Sequence, residues 1–114
     1  MSGVEIEYQE KIPILILNSN FQYYSDLEYI NSNIGDEVIN NSNEIIIDLS
    51  NFYKVDAEII QRITAIFKML ERKVKRFGLV IPSEVIFEGL KIKLIEDLFE
   101  VYGTKYDAVY NLLC

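Results

Sequence analysis

Ile45-Ile46-Ile47-Asp48-Leu49-Ser50-Asn51-Phe52-Tyr53-Lys54-Val55-Asp56 is the stretch that decides the fold. Its opening is a run of branched apolar side chains, the pattern of a strand covered on both faces rather than one. Ser50 to Val55 then reads as a loop, and Asp56 offers a carboxylate to the unpaired N–H groups of a first helical turn. Beyond Asp56, the residues Ile59, Ile63, Ile66, Phe67, Leu70 and Val74 keep one face apolar. That spacing predicts a helix of about five turns. A doubly covered strand feeding an amphipathic helix is the building unit of a parallel α/β sheet.

The same alternation extends in both directions. Upstream, Val4-Glu5-Ile6-Glu7-Tyr8 alternates like a half-buried strand, and a turn around Glu10 and Lys11 leads to the apolar run Ile14-Leu15-Ile16-Leu17, with Pro13 at its start. So short a turn makes this opening pair antiparallel. Asn18-Ser19-Asn20 ends the strand. Ser25 and Asp26 are placed to cap a helix carrying Leu27, Ile30, Ile34 and Val38, and Asn40-Asn41-Ser42-Asn43 is a loop. Downstream, Gly78 reads as the close of the long helical region, and Leu79-Val80-Ile81 as a strand stopped by Pro82. A helix is expected from Ser83 or Glu84, although Leu90-Lys91-Ile92-Lys93-Leu94 alternates like a strand. Phe99 to Tyr102 is a short strand, followed by Gly103, a Thr104 cap and a last helix with Tyr106, Val109, Leu112 and Leu113 apolar. The fold class is therefore α/β: a single domain over residues 1–114, with a mixed, mostly parallel sheet of about four or five strands flanked by about four helices.

Composition narrows the chemistry. Of the 114 residues, 50% are hydrophobic and 25% charged, a globular balance with room for one core. No apolar run has the length of a membrane span, and MSGVEIEYQE lacks the basic-then-apolar order of a secretory signal. The single cysteine, Cys114, excludes an internal disulfide. A cytoplasmic location is expected. With no histidine and one cysteine, zinc sites and imidazole-assisted nucleophiles have no residues to build them. Gly35, Gly78, Gly89 and Gly103 make no phosphate-binding spacing. Neither catalysis nor a cofactor is expected.

Charge is uneven along the chain. The net value is −7, yet residues 1–50 hold nine acids against Lys11 alone, while six of the eleven bases lie between Arg62 and Arg76. So acidic a chain repels phosphate backbones, which argues against nucleic acid as a partner. Lys68, Arg72, Lys73, Lys75 and Arg76, read as part of the long helix, either bind an acidic partner or anionic lipid or, the more ordinary reading, suit the negative end of the helix dipole and a solvated face. Phe21, Tyr23 and Tyr24 form either an exposed contact patch or a set partly buried under a neighbouring helix.

Two stretches resemble one family. The run Ile45 to Asp56 is similar to the strand and loop of STAS (sulfate transporter and anti-sigma-factor antagonist) domains, in which an apolar strand ends in Asp-Leu and an Asp a few residues on starts the long helix. Ile95-Glu96-Asp97-Leu98-Phe99-Glu100-Val101-Tyr102, followed by Asp107-Ala108-Val109, resembles the closing segment of those domains. The resemblance implies a bacterial, non-catalytic regulatory domain acting in signalling and transcription regulation by partner switching. In anti-sigma-factor antagonists the helix-starting Asp precedes a Ser or Thr that a partner kinase phosphorylates. Here the run is Asp56-Ala57-Glu58-Ile59, and Ala57 has no hydroxyl to modify. Glu58 is either an ordinary first-turn acid or a partial stand-in for a phosphate, with one charge against nearly two. Ser50 and Thr64, the nearest hydroxyls, read as structural. Ser19 and Gln22 replace a Gly and an Asp usual in the family, and Lys93-Leu94 replaces a Ser/Thr-Gly, as in a diverged branch.

The expected partner surface is the turn before the long helix and its first turns: Asn51, Tyr53, Lys54, Asp56, Ala57, Glu58 and Gln61. The resemblance implies a regulatory protein there, such as an anti-sigma-factor kinase or a stress-signalling assembly. The alternative is a structural or accessory subunit, associated with a transporter or forming a homo-oligomeric scaffold. A small-molecule binder working through carboxylates alone is a third reading, and would need a pocket gathering two or more acids.

Overall fold

In the computed structural model, which describes residues 3–34, 43–87 and 92–113, the two-faced apolar runs become the centre of a sheet. The described elements run β1 (Val4–Gln9), β2 (Ile12–Leu17), α1 (Tyr23–Asn33), β3 (Glu44–Asp48), β4 (Lys54–Val55), α2 (Ala57–Leu70), β5 (Arg76–Val80), β6 (Ile86–Phe87), α3 (Ile92–Leu98), β7 (Glu100–Tyr102) and α4 (Lys105–Leu113). Five strands form one sheet in the order β1-β2-β3-β5-β7. The first pair is an antiparallel hairpin with Val4 opposite Leu17, and the remaining pairs are parallel. Its turn is Glu10 and Lys11, both left-handed (φ 51° and 70°), the twist-matching geometry of a two-residue hairpin loop.

Alternation along the strands sorts the core into two layers. Leu15 and Leu17 of β2, Ile45 and Ile47 of β3, and Phe77 and Leu79 of β5 face the larger layer, where they meet Ile30, Ile59, Ile63, Ile66, Leu70, Ile95 and Phe99. Phe67, Phe77 and Phe99 pack there ring to ring, with centroids 4.7 to 6.0 Å apart. On the opposite face Ile12, Ile14, Ile46 and Val80 pack against Ala108, Val109 and Leu112 of α4. The expected fold class is thus the observed one: α/β, a mixed and mostly parallel five-stranded sheet, with four helices among the described residues.

Several local expectations need correction. Gly78 does not close a helix but lies inside β5, which starts at Arg76. A Cβ there would stand 3.1 Å from Leu112 Cδ1 and 3.2 Å from Ile46 Cγ1, so the glycine lets α4 settle against the sheet. The long helix stops at Leu70, about four turns, so Arg72, Lys73, Lys75 and Arg76 lie beyond it. No helix starts at Ser83 or Glu84. A turn closed by Val85 N–H on Pro82 O at 3.0 Å leads into β6, whose β-branched and aromatic residues suit a strand, and the next described helix is Ile92–Leu98. In α4 the buried residues are Ala108, Val109 and Leu112, which leaves Tyr106 and Leu113 exposed. Val38, Gly35, Gly89, Leu90, Lys91 and Cys114 and the loop positions 40–42 lie outside the described residues. No helix among the described residues is long and apolar enough to cross a membrane.

Candidate functional site

The turn between β3 and α2 is held at both ends and exposed in between. Asp48, buried at the end of β3, accepts the Ser50 N–H at 2.8 Å, and the Phe52 N–H bonds Leu49 O at 3.1 Å. At the far end the Asp56 carboxylate accepts the Ile59 N–H at 3.0 Å, the expected cap. Between them Lys54 and Val55 are not free loop, since they form β4 and pair in parallel with Ile86 and Phe87 of β6. That two-residue ladder pins the turn to the segment leaving β5.

The sequence-derived surface is largely brought together. Asn51, Tyr53, Ala57, Glu58 and Gln61 are exposed, whereas Lys54 and Asp56 are half-buried. Tyr53 projects furthest, at 81% exposure. Asn51 Nδ2 donates to Asn18 Oδ1 at 2.6 Å, which ties this turn to the one after β2. Asn51, Tyr53, Lys54, Asp56 and Glu58 line one open hollow of about 420 Å³ together with Ser19, Ile59 and Arg62. Ala57 is the first residue of α2, so a methyl group stands at the position where the resemblance places a hydroxyl.

Two residues outside the expected set complete the neighbourhood. Glu58 pairs with Arg62 one helical turn on, at 2.7 Å, and the Arg62 guanidinium carbon lies 5.4 Å from the centre of the Phe21 ring. The Glu58–Arg62 spacing was visible as an i, i+4 pair; the approach of Phe21 was not, because it depends on how α1 is anchored. Phe21 is buried, while Tyr23 and Tyr24 are exposed and meet edge to face at 5.1 Å, so the aromatic run is split between core and surface.

That anchor is Asp26. Its carboxylate is 4% exposed and accepts the Gly3 N–H at 3.2 Å and the Gln22 N–H. The expected cap at Ser25 or Asp26 is corrected accordingly: α1 starts at Tyr23 behind Gln22, which makes no side-chain cap bond, and Asp26 sits inside the first turn. A Cβ on Gly3 would collide with Phe21 backbone, so glycine is required for this approach.

Other charged clusters secure the frame. Arg76 grips Glu100 with both edges, Nε to Oε2 at 2.8 Å and Nη2 to Oε1 at 2.7 Å, and also donates to the carbonyls of Leu112 and Asn111 in the last turn of α4. This hydrogen bonding holds the Glu100 carboxyl below its ordinary range. Burial, and then its own bond to Glu100 at 3.0 Å, pushes the Tyr102 hydroxyl up. Lys105 joins α4 to β1 through Glu7 at 2.7 Å, and that bond raises the ammonium pKa.

No protein-family model matches the chain, and no curated protein matches it by sequence. Solved structures do match its fold. An anti-sigma factor antagonist from Mycobacterium paratuberculosis superposes with a TM-score of 0.69 at 16% identity, over 97% of this chain and 93% of that one. An anti-sigma-factor antagonist (STAS) domain protein from Planctomyces limnophilus gives 0.64 at 17% identity over 100% of both. The fold is that of STAS domains.

Proposed function

We propose that this chain is a regulatory protein-binding domain, non-catalytic, that docks a partner through the turn 51–56 and the first two turns of α2. The observation that carries the reading is the exposed, pinned turn: Asn51, Tyr53, Ala57, Glu58 and Gln61 face solvent on a backbone held by the Asp48 and Asp56 bonds and the β4–β6 ladder. A surface of fixed shape loses little freedom on association. The fold shared with anti-sigma-factor antagonists supports a protein partner, such as an anti-sigma-factor kinase or a stress-signalling assembly, and a place in the cytoplasm. Ala57 has a methyl side chain and cannot be phosphorylated, so exchange of partners is by reversible surface competition with no covalent switch at that position. The test is a pull-down with the chain as bait against the small ATP-binding kinases of its source organism, run beside Tyr53→Ala and Gln61→Ala. Binding at micromolar concentration that both variants weaken supports the reading; no binding, or binding unchanged by both, refutes it.

A second reading has its own observation. Tyr106, Tyr110 and Leu113 are 69%, 71% and 54% exposed along one stripe of α4, an apolar face suited to self-association in an oligomeric or accessory subunit. Mass measurement in solution separates the two, because this reading requires a dimer or larger that Tyr110→Glu dissociates.

A further inference from the structure

Arg62 is poorly explained by its own contacts. Its side chain is only 15% exposed, one Nη2 hydrogen bond goes to Glu58, and the guanidinium leans on Phe21. Among the described residues nothing accepts from its other N–H groups. Among the described residues no buried side-chain nitrogen lacks a partner, so these unspent N–H groups open to solvent. A guanidinium mostly covered along its length but with donors open can take a second oxyanion, which its planar fork holds through two bonds.

The space in front of it is suited to a chain segment. Arg62 and Glu58 form the wall shared by the hollow at the docking turn and a larger open groove of about 920 Å³ between the Phe21–Tyr24 segment and the outer face of α2. Tyr23, Tyr24 and Ala65 give this groove apolar surface, and Gln61 and Thr64 give it hydrogen-bonding groups. Its charged lining is Arg62 and Lys68 against Glu58. Lys68 is exposed and has no carboxylate within ion-pair distance among the described residues. The groove is therefore locally cationic on a chain of net charge −7. Charge complementarity selects an acidic occupant here although the molecule as a whole repels one.

We propose that this groove receives an acidic segment of a partner protein, in which a carboxylate side chain bonds Arg62 and a neighbouring apolar residue lies on Tyr23, Tyr24 and Ala65. This rests on the docking reading above and adds to it the chemistry of the partner. Glu58 then acts as an internal stand-in for the incoming carboxylate. Because Glu58 is 69% exposed, water screens its hold on Arg62 and the exchange is easy.

Selection of a random peptide display library on the immobilised full chain tests this. Enriched peptides are expected to pair Asp or Glu with an adjacent apolar residue. A fluorescein-labelled enriched peptide is expected to bind about tenfold more weakly to Arg62→Gln and to Lys68→Glu, and more tightly to Glu58→Gln. Lys68 is exposed, so its variant guards against a fold defect in Arg62→Gln, and circular dichroism checks both. Failure to enrich any peptide, enrichment of basic or uncharged ones, or binding indifferent to both cation variants overturns the proposal. Peptides lost on Tyr53→Ala but retained on both cation variants would overturn the groove and leave the docking turn standing. Peptides lost on the cation variants and indifferent to Tyr53→Ala would support the groove and count against the turn.

Discussion

Replacing Asp26 with alanine removes a single carboxylate on which two separate chain segments converge. In the folded protein it accepts from Gly3 N–H, which is buried, and from Gln22 N–H, which is partly buried. Truncation leaves both donors without an acceptor, and a bond to a charged group contributes about 1.5 to 3 kcal/mol. Water reaches the Gln22 side and recovers part of that loss, so the expected cost is about 3 kcal/mol. For a domain of this size that lowers the melting temperature by about 12 °C. Asp26→Asn is the informative companion. Its amide oxygen can take the place of Oδ2, which faces both N–H groups, but its NH2 then stands where Oδ1 accepts the Gly3 N–H at 3.3 Å. The charge and that longer bond are both lost, at a cost of about 2 kcal/mol. Urea unfolding followed by far-ultraviolet circular dichroism gives both values, and amide shifts of Gly3 and Gln22 report the site directly. An alanine variant within about 0.5 kcal/mol of the parent refutes the anchoring role. An asparagine variant as damaged as the alanine one would show that an amide oxygen in the place of Oδ2 does not hold the two N–H groups.

Three further outcomes follow from geometry and contacts already described. Lys11→Gly should raise stability by about 1 kcal/mol, because Lys11 holds φ at 70° with a side chain that disfavours it; an unchanged urea midpoint would show that the turn relaxes. Glu100→Gln should cost about 1 kcal/mol at neutral pH, its partners being partly exposed. The Arg76 bond lowers the Glu100 pKa in the folded state, so this stabilisation is complete above about pH 4.5 and is lost as pH falls through the lower folded value. Parent and variant should therefore converge in acid, and a gap that stays constant from about pH 7 to about pH 3 would contradict the pairing. On the alkaline side, the raised values of Tyr102 and Lys105 predict stability declining above about pH 10.

What could be read from the sequence was local in origin. The apolar strand before Leu49, the Asp56 cap and the apolar face beginning at Ile59 each depend on neighbours within a turn or two, and each forms, although the strand runs Glu44–Asp48 and the helix stops at Leu70, short of Val74. The misread positions answer to distant partners. Gly78 resembles a stop signal until Leu112 is packed on it. Lys54 and Val55 resemble loop until Ile86 and Phe87 come alongside. Asp26 resembles a cap until the Gly3 N–H arrives. The exposed turn proposed above for docking was legible as a turn because its residues are contiguous. The groove beside it was not, since it needs Phe21 and Arg62 in register across two helices, and no spacing in the chain encodes that approach.

The layer beneath α4 has a consequence for biosynthesis. Ile12 and Ile14 leave the ribosome well before the residues that shield them, Ala108, Val109 and Leu112. Until α4 is made and docks, that side of the nascent sheet stays bare, an aggregation hazard that its arrival relieves.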